Sequence, residues 1–163
     1  MIEALENEDV TVRKYASMGL LVIADERAIK PLIHVLSDDD IRVRNYASQA
    51  LGDIGEDAIE PLVQILDDEN NFNKKRLIRA TAKALGFIKS PKIVYPLIKT
   101  LSINDMYVKK SACLALGELG DPLSIEPLKV CLNDKNKKVQ DAAKKSLKKL
   151  AKNNHWGVRL EVN

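Results

Sequence analysis

Four of the chain's six prolines, Pro31, Pro61, Pro96 and Pro127, fall 30, 35 and 31 residues apart, each followed by leucine inside a repeating phrase. The phrases read DERAIKPLIHVL, GEDAIEPLVQIL, SPKIVYPLIKTL and DPLSIEPLKVCL. Around and between them lie VRKYASMGLLVI, VRNYASQALGDI, LIRATAKALGFI, VKKSACLALGEL and VQDAAKKSLKKL. A unit of about thirty residues cannot bury its own apolar face, so copies must stack on one another. The period therefore predicts an all-α array of stacked helix pairs, not one globular core.

Composition supports this. The chain is 45% hydrophobic but only 4% aromatic, so leucine, isoleucine, valine and alanine must supply the buried surface. That set suits close packing of short helices. No apolar run approaches the roughly 18 residues needed to span a bilayer, and the acidic start MIEALENEDV is unlike a secretion signal. A cytoplasmic protein with no membrane contact is expected. Cys113 and Cys131 fall in different helices of one repeat, with no CxxC or histidine spacing for a metal, and read as reduced packing residues.

The second helix of each copy carries the packing code. With its opening residue as position 0, positions 0, 4, 7, 8 and 11 are Val43, Ala47, Ala50, Leu51 and Ile54 in the second copy. The first copy has Val12, Ala16, Gly19, Leu20 and Ile23, and the fourth Val108, Ala112, Ala115, Leu116 and Leu119. At about 100° per residue these form one apolar stripe, with small residues at 4 and 7 for close helix approach. Positions 2, 5, 6 and 9 are expected to point away from the stripe.

The first helix of each pair begins with capping chemistry. Ser90-Pro91 and Asp121-Pro122 place an oxygen acceptor before a proline at the first helical position, and Asp25 and Asp57 are read as equivalents. The later proline, such as Pro61, predicts a bend or a short separate turn.

The phrases LGDIGEDAIEPLVQILDD and LGELGDPLSIEPLKVCLND resemble HEAT-like repeats of the phycocyanobilin-lyase type, and the resemblance covers roughly residues 1–152. It implies a right-handed α-solenoid of about five helix pairs, the second helices lining a concave face used for protein binding. The eleven residues 153–163 form a separate tail. Repeats of this type often carry an Asp and an Arg flanking the turn within each repeat. Asp38 and Arg44 keep the pair, while Asn7 with Arg13, Asp68 with Ile78, Ile103 with Lys109 and Asp134 with Gln140 depart from it. No continuous charge ladder is expected.

Breaks in the period mark candidate function. Three extra residues lie between Leu51 and Leu85, around DDENNFNKKR, as a longer surface turn or a partner-contacting loop. Met1 aligns with Leu32, so the first repeat is truncated or half-capped. Met18, Leu21 and Val22 stand where other copies have mainly polar residues or glycine, an apolar end contact open to a missing repeat, self-association or a partner.

Residues 1–70 hold 6 basic and 16 acidic side chains, whereas 71–163 hold 20 and 7. The expected partner-binding set is Arg79, Lys83, Lys110, Lys144, Lys145 and Lys148 on the second helices. An acidic protein partner fits better than nucleic acid, because the set has little arginine for base contacts and no interleaved aromatics for stacking. A solubilising cap remains open for the lysine-rich last helix.

No cofactor and no catalytic role is expected. The histidines, His34 and His155, are not followed by glutamate, which removes the iron-binding pattern of HEAT-like deoxyhypusine hydroxylases, and Trp156 lies in the tail. Neither a phosphate loop nor a nucleophile elbow is present. Tyr15 and Tyr46 read as packing residues. A non-catalytic scaffold is the leading expectation, with nucleic-acid binding and a bilin-lyase-like enzyme as alternatives.

Overall fold

The computed structural model describes residues 1–71 and 74–152, and the expectations for His155, Trp156 and the tail lie outside them. Among the described residues there are nine α-helices and no strand. Two compact units are present, Met1–Lys89 and Ser90–Asn163, the second described as far as Lys152.

The first unit opens with a 3-10 turn, Glu3–Glu6, that buries Leu5. Then follow α1 (Val10–Ile23), α2 (Ile29–His34), α3 (Ile41–Ile54), α4 (Ile59–Asp67) and α5 (Lys75–Phe87). The second unit holds α6 (Val94–Thr100), α7 (Met106–Leu119), α8 (Ile125–Cys131) and α9 (Lys137–Lys152). Within each unit the second helices stack on one another, α1 on α3 on α5 and α7 on α9, with the shorter proline-bearing helices alongside. This is the expected all-α class of HEAT-type helix pairs.

Each proline is the third residue of its helix, where its missing N–H costs no intrahelical bond. The chain enters through a separate 3-10 turn, Glu26–Ala28 being the first, as the proline chemistry predicted. Asp25, Ser90 and Asp121 cap these turns by accepting from backbone N–H groups two residues on. Asp57 does not. It lies inside its turn, and the capping place belongs to Gly55, whose φ of 86° closes α3. The second helices are capped in their turn by Asp9, Asp40 and Asp105.

The stripe is buried in α3 and α7. Val43, Ala47, Ala50 and Leu51 are fully buried, as are Val108, Ala112 and Leu116. In α1 it is only half covered, with Val12 36% and Ile23 50% exposed, because the first copy has only a 3-10 turn where others have a helix. Tyr15, expected to pack, is 54% exposed.

Candidate functional site

Stacking decides which side chains of the second helices face outward. Positions 5 and 9 were expected to do so and do not. Ser48 and Cys113 at position 5, and Gly52 and Gly117 at position 9, are buried against the next second helix. Ser48 Oγ donates to the Ala80 carbonyl at 3.1 Å, and Ser146 Oγ to the Cys113 carbonyl at 2.7 Å. The glycines exist for this approach: a Cβ on Gly52 would stand 2.2 Å from Phe87 Cβ, and one on Gly117 2.5 Å from Ser146 Cβ.

Positions 2 and 6 make up the outward rows. In the first unit they are Lys14 and Met18, Asn45 and Gln49, then Arg79 and Lys83; in the second, Lys110 and Leu114, then Asp141 and Lys145. The predicted basic set thus divides. Arg79 and Lys83 lie on the rows of the first unit, and Lys110 and Lys145 on those of the second. Lys144 and Lys148 occupy positions 5 and 9 of α9. They stand where the next second helix packs in earlier copies and are exposed here, with Lys148 one turn from Lys145.

Lys83 is the most built of these residues. Its Nζ donates to Asn45 Oδ1 at 2.9 Å, tying α5 to α3, and lies 5.7 Å from the centroid of the Phe87 ring. Burial pushes its ammonium below the ordinary lysine value. Asn45, Lys83 and Phe87 form a polar-aromatic spot that sequence reading missed, since Phe87 was counted with neither row. Of the apolar end residues, Val22 is 84% and Met18 38% exposed, while Leu21 is half-buried.

The turn edge carries a second arrangement. Arg13 Nε donates to Asp38 Oδ2 at 2.6 Å, and its Nη1 to the Asn7 and Glu8 carbonyls at 2.8 Å each. Arg44 likewise donates to the carbonyls of Asp38 and Asp39. In the second unit Lys109 Nζ donates to Asp134 Oδ2 at 2.7 Å, and Gln140 Nε2 to the Asp134 carbonyl at 2.7 Å. The ammonium of Lys109 and the N–H of Asn136 hold the Asp134 carboxyl below its usual range. Arg13–Asp38 and Lys109–Asp134 thus run from one repeat to the next, whereas Arg42 pairs with Asp40 inside its own turn. Asp38 and Arg44 flank their turn, where Arg44 bonds the Asp38 carbonyl and the Asp38 carboxylate goes to Arg13. At the three-residue insertion Ile78 holds the arginine position, and Asp68 instead accepts from Asn70 and Asn71.

A helical stack of this kind, with turn-edge charge pairs and outward rows that differ from copy to copy, defines a HEAT-repeat protein. The profile of HEAT repeats matches residues 1–80 and 73–148, and the chain belongs to that family. Its repeats are similar to those of a phycocyanobilin lyase subunit, as its phrases suggested. Phycocyanobilin lyase subunit alpha of Synechococcus elongatus is 36% identical over 75 residues, covering 44% of this chain and 28% of that protein. The complex of CpcE and CpcF of phycocyanin lyase from Nostoc sp. is similar in fold, with a TM-score of 0.64 at 23% identity over 93% of this chain and 64% of that one. A designed armadillo repeat protein in complex with the peptide (KR)4 has a TM-score of 0.53 at 21% identity, over 91% of this chain and 80% of that one. The chain thus spans under a third of the curated relative and under two thirds of the natural structural one.

The relative from Synechococcus overturns one expectation. Lack of catalytic motifs had set enzymes aside, yet a protein sharing this repeat type is named a lyase subunit. Repeat phrases record packing, and a short-motif search does not separate enzymes from scaffolds on such a fold. Among the described residues no helix is long and apolar enough to cross a membrane, and no cluster of three metal-ligating side chains occurs.

Proposed function

We propose that the chain binds a protein partner through the outward rows of its second helices, and that it does so as a component of a lyase-type assembly. The observation that carries the first part is that inward positions repeat from copy to copy while the combination at positions 2 and 6 differs from each copy to the next. Packing makes little demand on those rows, so recognition is left to shape them. Arg79 with Lys83 in the first unit, and Lys110 with Lys145 in the second, each favour an acidic segment, opposite in sign to the (KR)4 peptide held by the designed armadillo protein. The assembly part is supported by the lyase-subunit relative and by the two-chain CpcE–CpcF complex.

Binding of a labelled oligoglutamate peptide, followed by fluorescence anisotropy, tests the row reading. The pair K110E/K145E weakens binding severalfold, and K144E/K148E leaves it within twofold. Equal loss from both pairs overturns the row assignment in favour of a general lysine effect. Tighter binding to single-stranded DNA than to the peptide replaces the protein-partner reading with the nucleic-acid one. For the lyase part, phycocyanobilin mixed with the chain shifts its absorbance spectrum, and an unchanged spectrum with and without a candidate second subunit counts against it.

A further inference from the structure

The seam between α3 and α5 carries a combination that packing does not call for. Asn45 stands at position 2 of α3, Lys83 at position 6 of α5 and Phe87 at position 10 of α5. The same places hold Lys14, Gln49 and Asp53 across the seam of α1 and α3, and Lys110, Lys145 and Lys149 across that of α7 and α9. Phe87 thus puts an aromatic ring, 39% exposed, where those two seams put a charged side chain. Gly52 seats it. A Cβ on that glycine would stand 2.2 Å from Phe87 Cβ and 3.3 Å from its Cγ, so only glycine lets α5 bring the ring against α3.

The polar half of this spot can only donate. Lys83 Nζ gives one N–H to Asn45 Oδ1 at 2.9 Å, which commits the oxygen of the Asn45 amide and leaves its NH2 as the other polar group. Ammonium and amide stand side by side with N–H bonds to give, and the ligand group that answers such a pair is a carboxylate. Lys83 is half-buried, and burial pushes its ammonium below the ordinary lysine value, so an anion gains more here than at a fully solvated lysine. Phe87 follows one helical turn later, its ring centroid 5.7 Å from Nζ. An extended chain presents one face every second residue, at intervals of about 6.6 Å. A carboxylate on Lys83 and an apolar group on Phe87 therefore match residues k and k+2 of such a chain.

We propose that Asn45, Lys83 and Phe87 anchor an extended segment of a partner protein that carries an acidic residue and a large apolar residue two positions apart. The carboxylate accepts from the Lys83 ammonium and the Asn45 amide, and the apolar side chain covers the exposed part of the Phe87 ring. This rests on the reading of the outward rows as a binding face and adds a sequence preference that lysines alone do not give. Charge attracts any acid, whereas the ring fixes where the next apolar group must fall. The anchor lies wholly within the first unit and needs nothing from Lys110 or Lys145.

Fluorescein-labelled peptides GSGESLSG, GSGLSESG and GSGELSSG, titrated with the full chain and followed by anisotropy, test this. The first two space the acid and the leucine by two residues in either direction; the third has the same composition with the pair adjacent, on opposite faces. One of the spaced peptides is expected to bind about fivefold tighter than the adjacent one. K83M should abolish the gain from glutamate over glutamine in that peptide, and F87A the gain from leucine over serine, each leaving the other gain in place. Phe87 also packs on Gly52, so the peptide comparisons on the unmodified chain stand as a test that needs no variant. No preference for either spaced peptide, or a preference that survives both K83M and F87A, overturns the proposal. If the oligoglutamate peptide then still binds and still responds to K110E/K145E, only the anchor is lost; if it does not bind, the row reading falls as well.

Discussion

Arg13 Nε lies 2.6 Å from the carboxylate of Asp38, one repeat further along the chain, while the same guanidinium holds the Asn7 and Glu8 carbonyls of its own turn. One side chain thus closes a turn and joins it to the next. Asp38 is only 6% exposed at its side chain and Arg13 19%. Replacing Asp38 with Asn leaves a half-buried guanidinium short of its charge partner, and chemical denaturation is expected to show a loss of about 1–3 kcal/mol. A change inside experimental error would mean that water replaces the carboxylate without cost.

The close approach of the second helices sets a second expectation. G117A places a methyl group against Ser146, and G52A places one against Phe87, so each overpacks its seam by about 1–3 kcal/mol. The double variant G117A/S146G should recover part of the loss. If the two changes simply add, the seam is not where the cost arises.

Ala24 closes α1 in the left-handed region at φ 49°, a place held by Gly55 after α3 and Gly120 after α7. A side chain there costs about 1–2 kcal/mol, partly offset by the extra unfolded-state freedom of glycine. Ala24→Gly should therefore raise the melting temperature by a few degrees. A lower melting temperature would show that the Ala24 methyl packs better than its neighbours suggest.

Asp134 links pH to stability in the second unit. Its folded-state pKa lies below the unfolded value because Lys109 and the Asn136 N–H bind the carboxylate. The contribution is therefore complete above the unfolded carboxyl pKa of about 4 and is lost as pH falls through the folded one. The stability gap between the native chain and D134N should be full at pH 7 and narrow as the pH falls below about 4. A constant gap between them would remove Asp134 from the acid response.

The repeat, its helix pairs and the buried stripe were legible in the sequence, because leucine and alanine at fixed offsets from each proline mean the same thing in every copy. So was the short turn ahead of each proline, which follows from a missing N–H at that place. Legibility ended where a residue's fate depends on a neighbour distant in the chain. Helical angle alone pointed positions 5 and 9 outward. Stacked second helices bury Ser48, Cys113, Gly52 and Gly117, while the equivalent places of α9, Lys144 and Lys148, are exposed. The meeting of Arg13 with Asp38 was equally out of reach. Local pattern determines which stripe of a helix is apolar; only the packed structure decides which of the remaining faces meets another helix and which meets solvent.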